Sequence, residues 1–334
     1  MSELRRDPIT GRWIIVDTDH PTMPEEYESE SPTWRSVTCP FCYGNESMTP
    51  SEISVIRDPS TPPNSPGWQV RVVSNKFPAL QIEGVLDRRG LGIYDMTNGI
   101  GAHEIIVETP YHNKDLSDLL INEIESYIWM LCQRSLDLAK DQRLKYLMIF
   151  KNYGPAAGAS LEHPHTQLIA LPMVPKNVKE ELLGAKHYFD YRERCIFCDM
   201  LRQEEDEKER IIVENKNFIA FCPFVSRFPF EIWIMPRKHN GYFESMTGEE
   251  IHNIAGILKE IIVKLKKVFG NLAYNFIIHS TPVNSESETE SFHWHLEFMP
   301  KLTRVAGFEW GTGFYVVPTP PEIAAKILRE EKVK

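Results

Sequence analysis

Long hydrophobic runs and an excess of basic residues are both missing from this sequence of 334 residues. No stretch of about 18 consecutive apolar residues occurs, and the N-terminal segment MSELRRDPITGRW has no apolar signal core. We therefore expect no membrane span and no export, and we predict a cytoplasmic location. The formal charge is −10, from 37 Lys and Arg against 47 Asp and Glu. Because nucleic-acid and membrane-surface binders need a basic face, we expect neither as a partner.

Cysteine is also scarce, with six residues in the whole chain. In a reducing cytoplasm these cysteines are expected to be thiols or metal ligands and not disulfides. Four of them fall in two Cys-x-x-Cys pairs, Cys39 with Cys42 and Cys195 with Cys198, and this spacing favours metal binding. The remaining two lie in apolar surroundings and are predicted to be core residues.

The second half of the sequence repeats the first half, motif by motif and in the same order. CPFC at Cys39 returns as CIFC at Cys195, and EIIVETPYH, ending at His112, returns as EIWIMPRKH, ending at His239. HPHTQLIALP returns later as HWHLEFMP. We infer a duplicated chain, with one unit in residues 1–178 and the other in residues 190–334.

Each copy carries one long amphipathic helix between strand-like segments. In the first copy Ser117 is predicted to cap a helix that runs to about Lys140, and in the second copy TGEE from Thr247 is a capping box. The predicted strands of the first copy are Gln69 to Val73, Glu104 to Glu108, Tyr146 to Phe150 and Thr166 to Leu171. This order predicts an α+β fold of two tandem units, each an antiparallel sheet with a long helix, packed as a pseudodimer. The polar stretch from Glu25 to Ser36 is predicted to be a solvated loop.

The cysteine pairs combine with histidines into two matching ligand sets. These sets are Cys39, Cys42, His112 and His163 in the first copy, and Cys195, Cys198, His239 and His293 in the second. Zinc prefers four such ligands in tetrahedral geometry, and a closed site with four protein ligands is structural. The sequence therefore predicts two structural Zn²⁺ sites. A redox pair or two buried thiols is the alternative for each cysteine pair, and His103, His187 and His279 are alternative fourth ligands.

The segment LEHPHTQL places a second histidine, His165, two residues after the predicted ligand His163. A neutral imidazole is nucleophilic through one nitrogen when its other nitrogen is held by an acceptor, and phosphorus is a good electrophile for it. Gly158 and Ser160 precede it in a glycine-containing run that can offer donors to phosphate oxygens. The neutral amide of Gln167 can donate to a phosphoryl oxygen without supplying a proton. A hydrogen-bonded core histidine is the alternative for His165 alone.

Together HPHTQ, the Cys-x-x-Cys pair, DPITGRW, SNKFPAL and FHWHLEFMPKLTRVAGFE resemble the galactose-1-phosphate uridylyltransferase family of the histidine triad superfamily. The resemblance covers nearly the whole chain. It implies two histidine-triad-like domains, a homodimer, and ping-pong transfer of a nucleoside monophosphate. In that scheme the nucleophilic histidine attacks the α-phosphorus of a UDP-sugar, releases a sugar 1-phosphate, and passes UMP from a uridylyl-histidine to a second sugar 1-phosphate.

The resemblance also implies roles for individual residues. The nucleophile is His165, oriented by the carbonyl of His163, and the phosphate-contacting glutamine is Gln167. The implied nucleotide contacts are Asn75, Phe77, Asn152, Gly158 and Ser160, and the implied sugar-binding residues are Phe308 and Glu309 in RVAGFEWGTGFY.

Three departures from the family pattern leave alternatives open. DTDHPTMPE stands where the bacterial enzymes have an arginine-rich stretch, and Tyr315 stands where a glutamine is expected. Some relatives hold their second metal with a glutamate and three histidines, and the equivalent set here is Glu181, His279, His293 and His295. A hexose-1-phosphate uridylyltransferase is the leading hypothesis. An ADP-glucose phosphorylase using the same histidine is the enzymatic alternative, and a zinc-stabilised nucleotide-binding module is the non-enzymatic one.

Overall fold

Strands and helices alternate along the chain, and the computed structural model describes residues 1–28 and 38–333. Most of the loop predicted from Glu25 to Ser36 therefore lies outside the described residues. The strands of the first half are β1 Glu3–Arg6, β2 Trp13–Val16, β3 Glu52–Arg57, β4 Trp68–Ser74, β5 Arg89–Leu91, β6 Tyr94–Met96, β7 Ala102–Val107, β8 Tyr146–Tyr153 and β9 His165–Leu171. Those of the second half are β10 Ile211–Glu214, β11 Phe218–Phe221, β12 Ile232–Pro236, β13 Tyr274–His279, β14 His295–Pro300 and β15 Tyr315–Val317. The helices are α1 Ile121–Leu138, α2 Lys176–Arg192, α3 Ile196–Glu207, α4 Gly248–Phe269, α5 Gly307–Thr312 and α6 Pro321–Glu330.

Ten strands form one continuous sheet in the order β10-β11-β12-β14-β13-β8-β9-β7-β4-β3. Each half contributes five neighbouring strands, and the internal order of the five is the same in both halves. Every pairing in this sheet is antiparallel. The predicted mixture of helices with an antiparallel sheet is therefore confirmed, and all four predicted strands of the first copy are present within three residues of their expected ends.

The junction between the halves is the pairing of β8 with β13. Tyr153 lies opposite Tyr274, and Asn152 lies opposite Asn275. The two tyrosine rings stack with centroids 4.9 Å apart. Because the sheet continues through this pair without interruption, residues of the second half lie beside the ends of β8 and β9.

The two long helices α1 and α4 bury their apolar sides in a single core. Ile128 and Leu131 of α1 belong to the same buried cluster as Ile254 and Leu258 of α4. Fully burying an Ile or Leu side chain contributes about 1.5–3 kcal/mol, so the apolar period of these helices fixes which side packs inward.

The start of α4 confirms the predicted capping box, whereas the start of α1 differs from the prediction. Thr247 Oγ1 accepts the N–H of Glu250 at 3.3 Å, and Glu250 Oε2 accepts the N–H of Thr247 at 2.7 Å. The prediction that Ser117 caps α1 is wrong, because α1 begins at Ile121 and the Ser117 hydroxyl donates to Asp115 at 2.6 Å.

The two ends of the chain meet in a separate three-stranded sheet, β1-β2-β15, in which β15 runs parallel to β2. Arg5 also forms an ion pair with Glu322 of α6 at 2.9 Å. The turn after β1 packs closely on α2, since a Cβ at Gly184 would lie 1.8 Å from the carbonyl oxygen of Ile9. The N-terminal strands of the proposed unit 1–178 therefore contact β15 and α6 of the proposed unit 190–334. The boundaries of the two units stay a prediction. Within residues 1–28 and 38–333, no helix combines the length and the apolar character needed to cross a bilayer.

Candidate active site and metal-binding clusters

His165 is the first residue of β9, and its imidazole is buried. Its Nδ1–H donates to the backbone carbonyl of His163 at 2.8 Å, which leaves Nε2 with a free lone pair. Burial lowers the pKa of His165 to about 4, so the ring is neutral at pH 7. This geometry is that of an imidazole prepared to act as a nucleophile through Nε2.

A cavity of about 370 Å³ opens next to this imidazole. Its volume falls in the range of small-molecule sites, about 300–1,000 Å³. It is lined by Pro40, Phe41, Met48, Thr49, Pro50, Val73, Ser74, Asn75, Lys76, Phe77, Ile105, Ser160, Leu161, His165 and Gln167. The structure therefore brings the predicted residues Asn75, Phe77, Ser160 and Gln167 into one cavity with His165. The Phe77 side chain is 84% exposed at its rim, where a flat ligand could stack on it.

A larger surface depression of about 640 Å³ lies elsewhere, beside the hairpin of β5 and β6. Its lining includes Leu86, Arg88, Arg89, Met96 and Met173, and it contains neither histidine nor cysteine. Because nucleophile and polar groups converge only in the smaller of these two spaces, we take the cavity at His165 as the candidate active site.

The amide of Gln167 is oriented by a histidine on the neighbouring strand β7. His103 Nδ1 accepts the N–H of Ala79 at 3.2 Å, so its Nε2 carries the proton and donates to Gln167 Oε1 at 2.9 Å. The amide nitrogen of Gln167 is left as a donor for a ligand. The sequence had suggested His103 only as an alternative metal ligand, and it missed this role because the contact depends on the pairing of β7 with β9.

The loop between β8 and β9 contains Pro155–Ala157, a single 3-10 turn, followed by Gly158 with φ of +85°. Only glycine adopts this left-handed conformation without strain. The N–H of Gly158 donates to the carbonyl of Pro155 at 2.9 Å, so its contribution as a phosphate donor stays a prediction. Asn152 lies just before the loop, and its side-chain oxygen accepts from Asn275 Nδ2 at 2.7 Å.

The first predicted ligand set forms a compact cluster. The potential ligand atoms of Cys39, Cys42, His112 and His163 all lie within 4.8 Å of one another. Cys42 Sγ is 3.4 Å from His112 Nδ1 and 3.6 Å from His163 Nδ1. His163 Nε2 donates to the carbonyl of Thr109 at 2.7 Å, which leaves Nδ1 unprotonated and facing the thiols.

The second ligand set repeats this arrangement. Cys195, Cys198, His239 and His293 also offer ligand atoms within 4.8 Å of one another, and Cys198 Sγ is 3.3 Å from His239 Nδ1. His239 Nε2 donates to the carbonyl of Thr289 at 2.7 Å. In a tetrahedral zinc site with Zn–S of about 2.3 Å and Zn–N of about 2.0–2.1 Å, sulfur and nitrogen ligands are about 3.6 Å apart. The residues of both clusters therefore fit a zinc ion.

A third cluster contains three of the four residues that were the alternative ligands for a second metal ion. Glu181, His279 and His295 lie together, whereas His293 belongs to the cysteine cluster. His279 Nδ1 contacts Glu181 Oε2 at 2.7 Å, and its Nε2 lies 3.4 Å from Glu297 Oε2. Burial alone would lower the pKa of His279, but the two carboxylates raise it to about 9. In this arrangement His279 is the cationic partner of an ion-pair network.

His295 is the second-half counterpart of His165, but its surroundings are closed. Its Nδ1–H likewise donates to the carbonyl of the histidine two residues before it, at 3.1 Å. However, the Trp233 ring stacks on it with centroids 4.6 Å apart, and the adjoining cavity measures only about 20 Å³. Glu297, in the place of Gln167, is bound to Arg227. This position has no room for a nucleotide.

The predicted sugar-binding residues Phe308 and Glu309 lie on the short helix α5. Glu309 Oε2 accepts the N–H of Ala306 at 2.9 Å, and Phe308 is exposed. Neither residue lines the cavity at His165. Within one chain, the structure does not bring these two residues together with the nucleophile.

Comparisons with known proteins identify the family of this chain. The family model described as Galactose-1-phosphate uridyl transferase, N-terminal domain, matches residues 1–175, and the model of its C-terminal domain matches residues 181–319. The chain belongs to the galactose-1-phosphate uridyl transferase family, which confirms the resemblance based on HPHTQ and its companion motifs. It is a nucleotidyltransferase by this assignment.

Individual relatives differ in their named substrates. The chain is 35% identical to the ADP-glucose phosphorylase of Arabidopsis thaliana, over 98% of this chain and 92% of that one. It is 30% identical to the galactose-1-phosphate uridylyltransferase of Thermotoga maritima, over the full length of both. A solved structure of the Arabidopsis thaliana ADP-glucose phosphorylase with bound ADP-glucose superposes with a TM-score of 0.82 at 33% identity, covering all of both chains.

Proposed function

We propose that this protein transfers a nucleoside monophosphate between a nucleotide sugar and a sugar 1-phosphate through a covalent intermediate on His165. The observation that carries the proposal is the orientation of this imidazole. Its Nδ1 is tied to the His163 carbonyl, and its Nε2 adjoins a cavity that also contains Gln167. The leading candidate is a UDP-glucose–hexose-1-phosphate uridylyltransferase of galactose metabolism.

Two displacements at one phosphorus complete the reaction. In the first, Nε2 of His165 forms a bond to the α-phosphorus of UDP-hexose, the bond to the bridging oxygen breaks, and hexose 1-phosphate leaves with the electron pair. In the second, a phosphate oxygen of another hexose 1-phosphate attacks the same phosphorus and the P–N bond breaks, which restores neutral His165. Gln167 donates to a phosphoryl oxygen in both steps, and Asn75, Phe77, Asn152, Gly158 and Ser160 hold the nucleotide.

An ADP-glucose phosphorylase is the second candidate, and two observations favour it. The full-length relative with that name is 35% identical, and Tyr315 stands at the position where the family pattern has a glutamine. In that reaction the first displacement is the same with AMP in place of UMP, and inorganic phosphate is the acceptor.

Further features complete the proposal. The chain is two histidine-triad-like units in tandem, packed as a pseudodimer, which the matching strand order of the two halves supports. The Cys39 and Cys195 clusters would each hold a structural Zn²⁺ ion, and an ion in the first cluster would anchor His163, whose carbonyl orients His165. The protein acts as a homodimer in which Phe308 and Glu309 of one chain reach the cavity of the other. Its location is cytoplasmic, where the thiols remain reduced.

Covalent labelling tests the function directly. The protein is incubated with UDP-glucose or ADP-glucose carrying the label in the nucleoside monophosphate, and protein-bound label is counted after denaturation. We expect label on His165 from UDP-glucose, released on addition of galactose 1-phosphate. Label from ADP-glucose alone, released by phosphate, would instead establish the second candidate.

The matched variants are His165→Asn and His187→Asn, the latter at an exposed histidine of α2. Labelling should vanish in the first variant, with zinc content and melting temperature unchanged, and persist in the second. A wild-type protein that binds UDP or ADP but takes label from neither nucleotide sugar would be a zinc-stabilised nucleotide-binding module.

A further inference from the structure

Two asparagines from different halves of the chain face each other at the junction of β8 with β13. Asn152 and Asn275 are paired directly opposite each other in the antiparallel ladder. Such pairs point to the same side of a sheet, and His165 points to this side as well, because Lys151 pairs with Thr166 one position away. Asn275 therefore lies beside the candidate active site although it belongs to the half without the nucleophile.

The side chain of Asn275 determines which end of the Asn152 amide faces the loop between β8 and β9. Asn275 Nδ2 donates to Asn152 Oδ1 at 2.7 Å, so the oxygen of Asn152 is turned toward the second half. Its Nδ2 is turned toward Gly158, whose absent Cβ would lie 3.9 Å from that nitrogen. Both hydrogens on this nitrogen are donors, and a glycine leaves space next to them.

The same nitrogen of Asn275 also holds the loop that follows Asn152. It donates to the carbonyl of Ala157 at 2.9 Å, immediately before the left-handed Gly158. The two shortest contacts of this amide nitrogen are thus to Asn152 and to the loop, and the carbonyl of Lys151 lies farther away at 3.5 Å. An aspartate at position 275 has the same shape but no N–H donors, so it could bind neither the Asn152 oxygen nor the Ala157 carbonyl.

We propose that Asn275 is a positioning residue for nucleotidyl transfer. It presents the Nδ2 donor of Asn152 to a phosphate oxygen of the nucleotide, and it fixes the Gly154–Ser160 loop next to His165. This inference rests on the proposed function for its phosphate ligand. It also gives the second half of the chain a part in the chemistry of the first, since Asn275 belongs to β13.

The most informative variant is Asn275→Asp, because it keeps the shape of the side chain and removes both donors. The introduced carboxylate attracts the amide nitrogen of Asn152, so that Oδ1 turns toward the phosphate and repels it. We expect the rate constant for labelling of His165 to fall about 100-fold, within the range for loss of an oriented donor. Asn275→Ala frees the amide without reversing it and should cost about 10-fold. Asn271→Asp is the matched control, since Asn271 accepts from Tyr153 and does not contact Asn152.

A double-mutant cycle separates positioning from a general structural role. If Asn275 acts in large part through Asn152, the double variant Asn152→Ala with Asn275→Asp should lose far less labelling rate than the product of the two single losses. Labelling by Asn275→Asp at the wild-type rate, or two losses that multiply, would overturn the inference. If the wild-type protein takes label from no nucleotide sugar, the proposed function fails separately. The contact between Asn152 and Asn275 is then tested by the melting temperatures of the two single variants and the double variant. If the decrease in the double variant equals the sum of the two single decreases, the two side chains do not interact.

Discussion

One of the differences between the two histidine motifs of this chain, Gln167 against Glu297, bears directly on phosphate binding. Gln167 keeps a neutral amide at the cavity, with its oxygen bound by His103 and its nitrogen free to donate. Glu297, at the equivalent position, carries a charge that Arg227 neutralises. A carboxylate repels a neighbouring phosphate and Glu297 is already paired with Arg227, whereas the neutral amide of Gln167 can donate to a phosphate oxygen without a compensating cation.

The substitution Gln167→Glu tests this difference. The introduced carboxylate can still accept from His103, so the fold should be retained, but its charge opposes the nucleotide phosphates. We expect the rate constant for labelling of His165 to fall by about 10²–10³. Rapid-quench labelling measures this rate, and Gln142→Glu at an exposed position is the matched control. Labelling that is as fast as in the wild-type protein would show that Gln167 does not contact the phosphate.

At the scale of elements, the helix α2 and the strands β13 and β14 are joined by a buried ionic cluster. Glu181 of α2 contacts His279 of β13, and His279 also faces Glu297 of β14. The cluster lies where the first half has its nucleophile and cavity. Charged side chains thus occupy the space that corresponds to the cavity at His165 in the first half, and they connect α2 to the sheet.

The pH dependence of the free energy of unfolding tests whether His279 is charged in this cluster. The folded-state pKa of His279 is about 9, above its ordinary value of 6.5, so its contribution to stability is complete below pH 6.5 and is lost as pH rises through 9. The free energy of unfolding should decrease by an amount on the order of 3 kcal/mol over that range from this group. Chemical denaturation between pH 6 and 10 measures it. In His279→Gln this part of the decrease should be absent, whereas His187→Gln should retain it. Equal slopes in all three proteins would contradict the ion-pair assignment.

At the scale of the whole molecule, the two halves share one sheet but differ in the space beside their histidine motifs. Both halves hold a thiol and imidazole cluster, but only the first half has a substrate-sized cavity at its histidine motif. The second half supports the first through the β8–β13 junction and through the strands that join the two chain ends.

Zinc removal should therefore destabilise both halves. We expect two zinc ions per chain by elemental analysis, and one in either Cys42→Ser or Cys198→Ser. Cys132→Ser, at a buried thiol outside the clusters, should retain both. Because a ligand at about 1,000 times its dissociation constant stabilises by about 4 kcal/mol, strong chelators should lower the melting temperature markedly. If Glu181→Gln loses an ion and Cys198→Ser does not, the second metal belongs to the carboxylate and histidine set.

Subunit complementation tests the predicted homodimer. His165→Asn and Glu309→Gln should each lower sugar transfer severely, the second because the sugar-binding segment is damaged. If each active site combines His165 of one chain with Glu309 of its partner, equal mixtures allowed to exchange subunits should recover about a quarter of wild-type turnover. A mixture that stays inactive after exchange would place both residues in a site of a single chain.

The sequence was sufficient where function follows from spacing along the chain. The Cys-x-x-Cys pairs and the duplication predicted both clusters, because the residues in each motif are close neighbours or are repeated in order. The HPH segment pointed to His165, which the structure places at the cavity, and its role as nucleophile stays a prediction. The sequence failed at Ser117, because the hydroxyl of Ser117 bonds to Asp115 in a local turn and α1 begins only at Ile121. The capping box at Thr247 succeeded because its two hydrogen bonds are local.

What the sequence determined by itself is thus the family, the two ligand sets and the position of the candidate nucleophile His165, all of which depend on local patterns and their repetition. The tertiary structure decided which polar groups meet around that histidine. His103 reaches Gln167, and Asn275 reaches Asn152, only because of the strand order in the sheet. Trp233 closes the second site for the same reason. The pairing of distant strands is set by packing of the whole core, and no local pattern of residues encodes it.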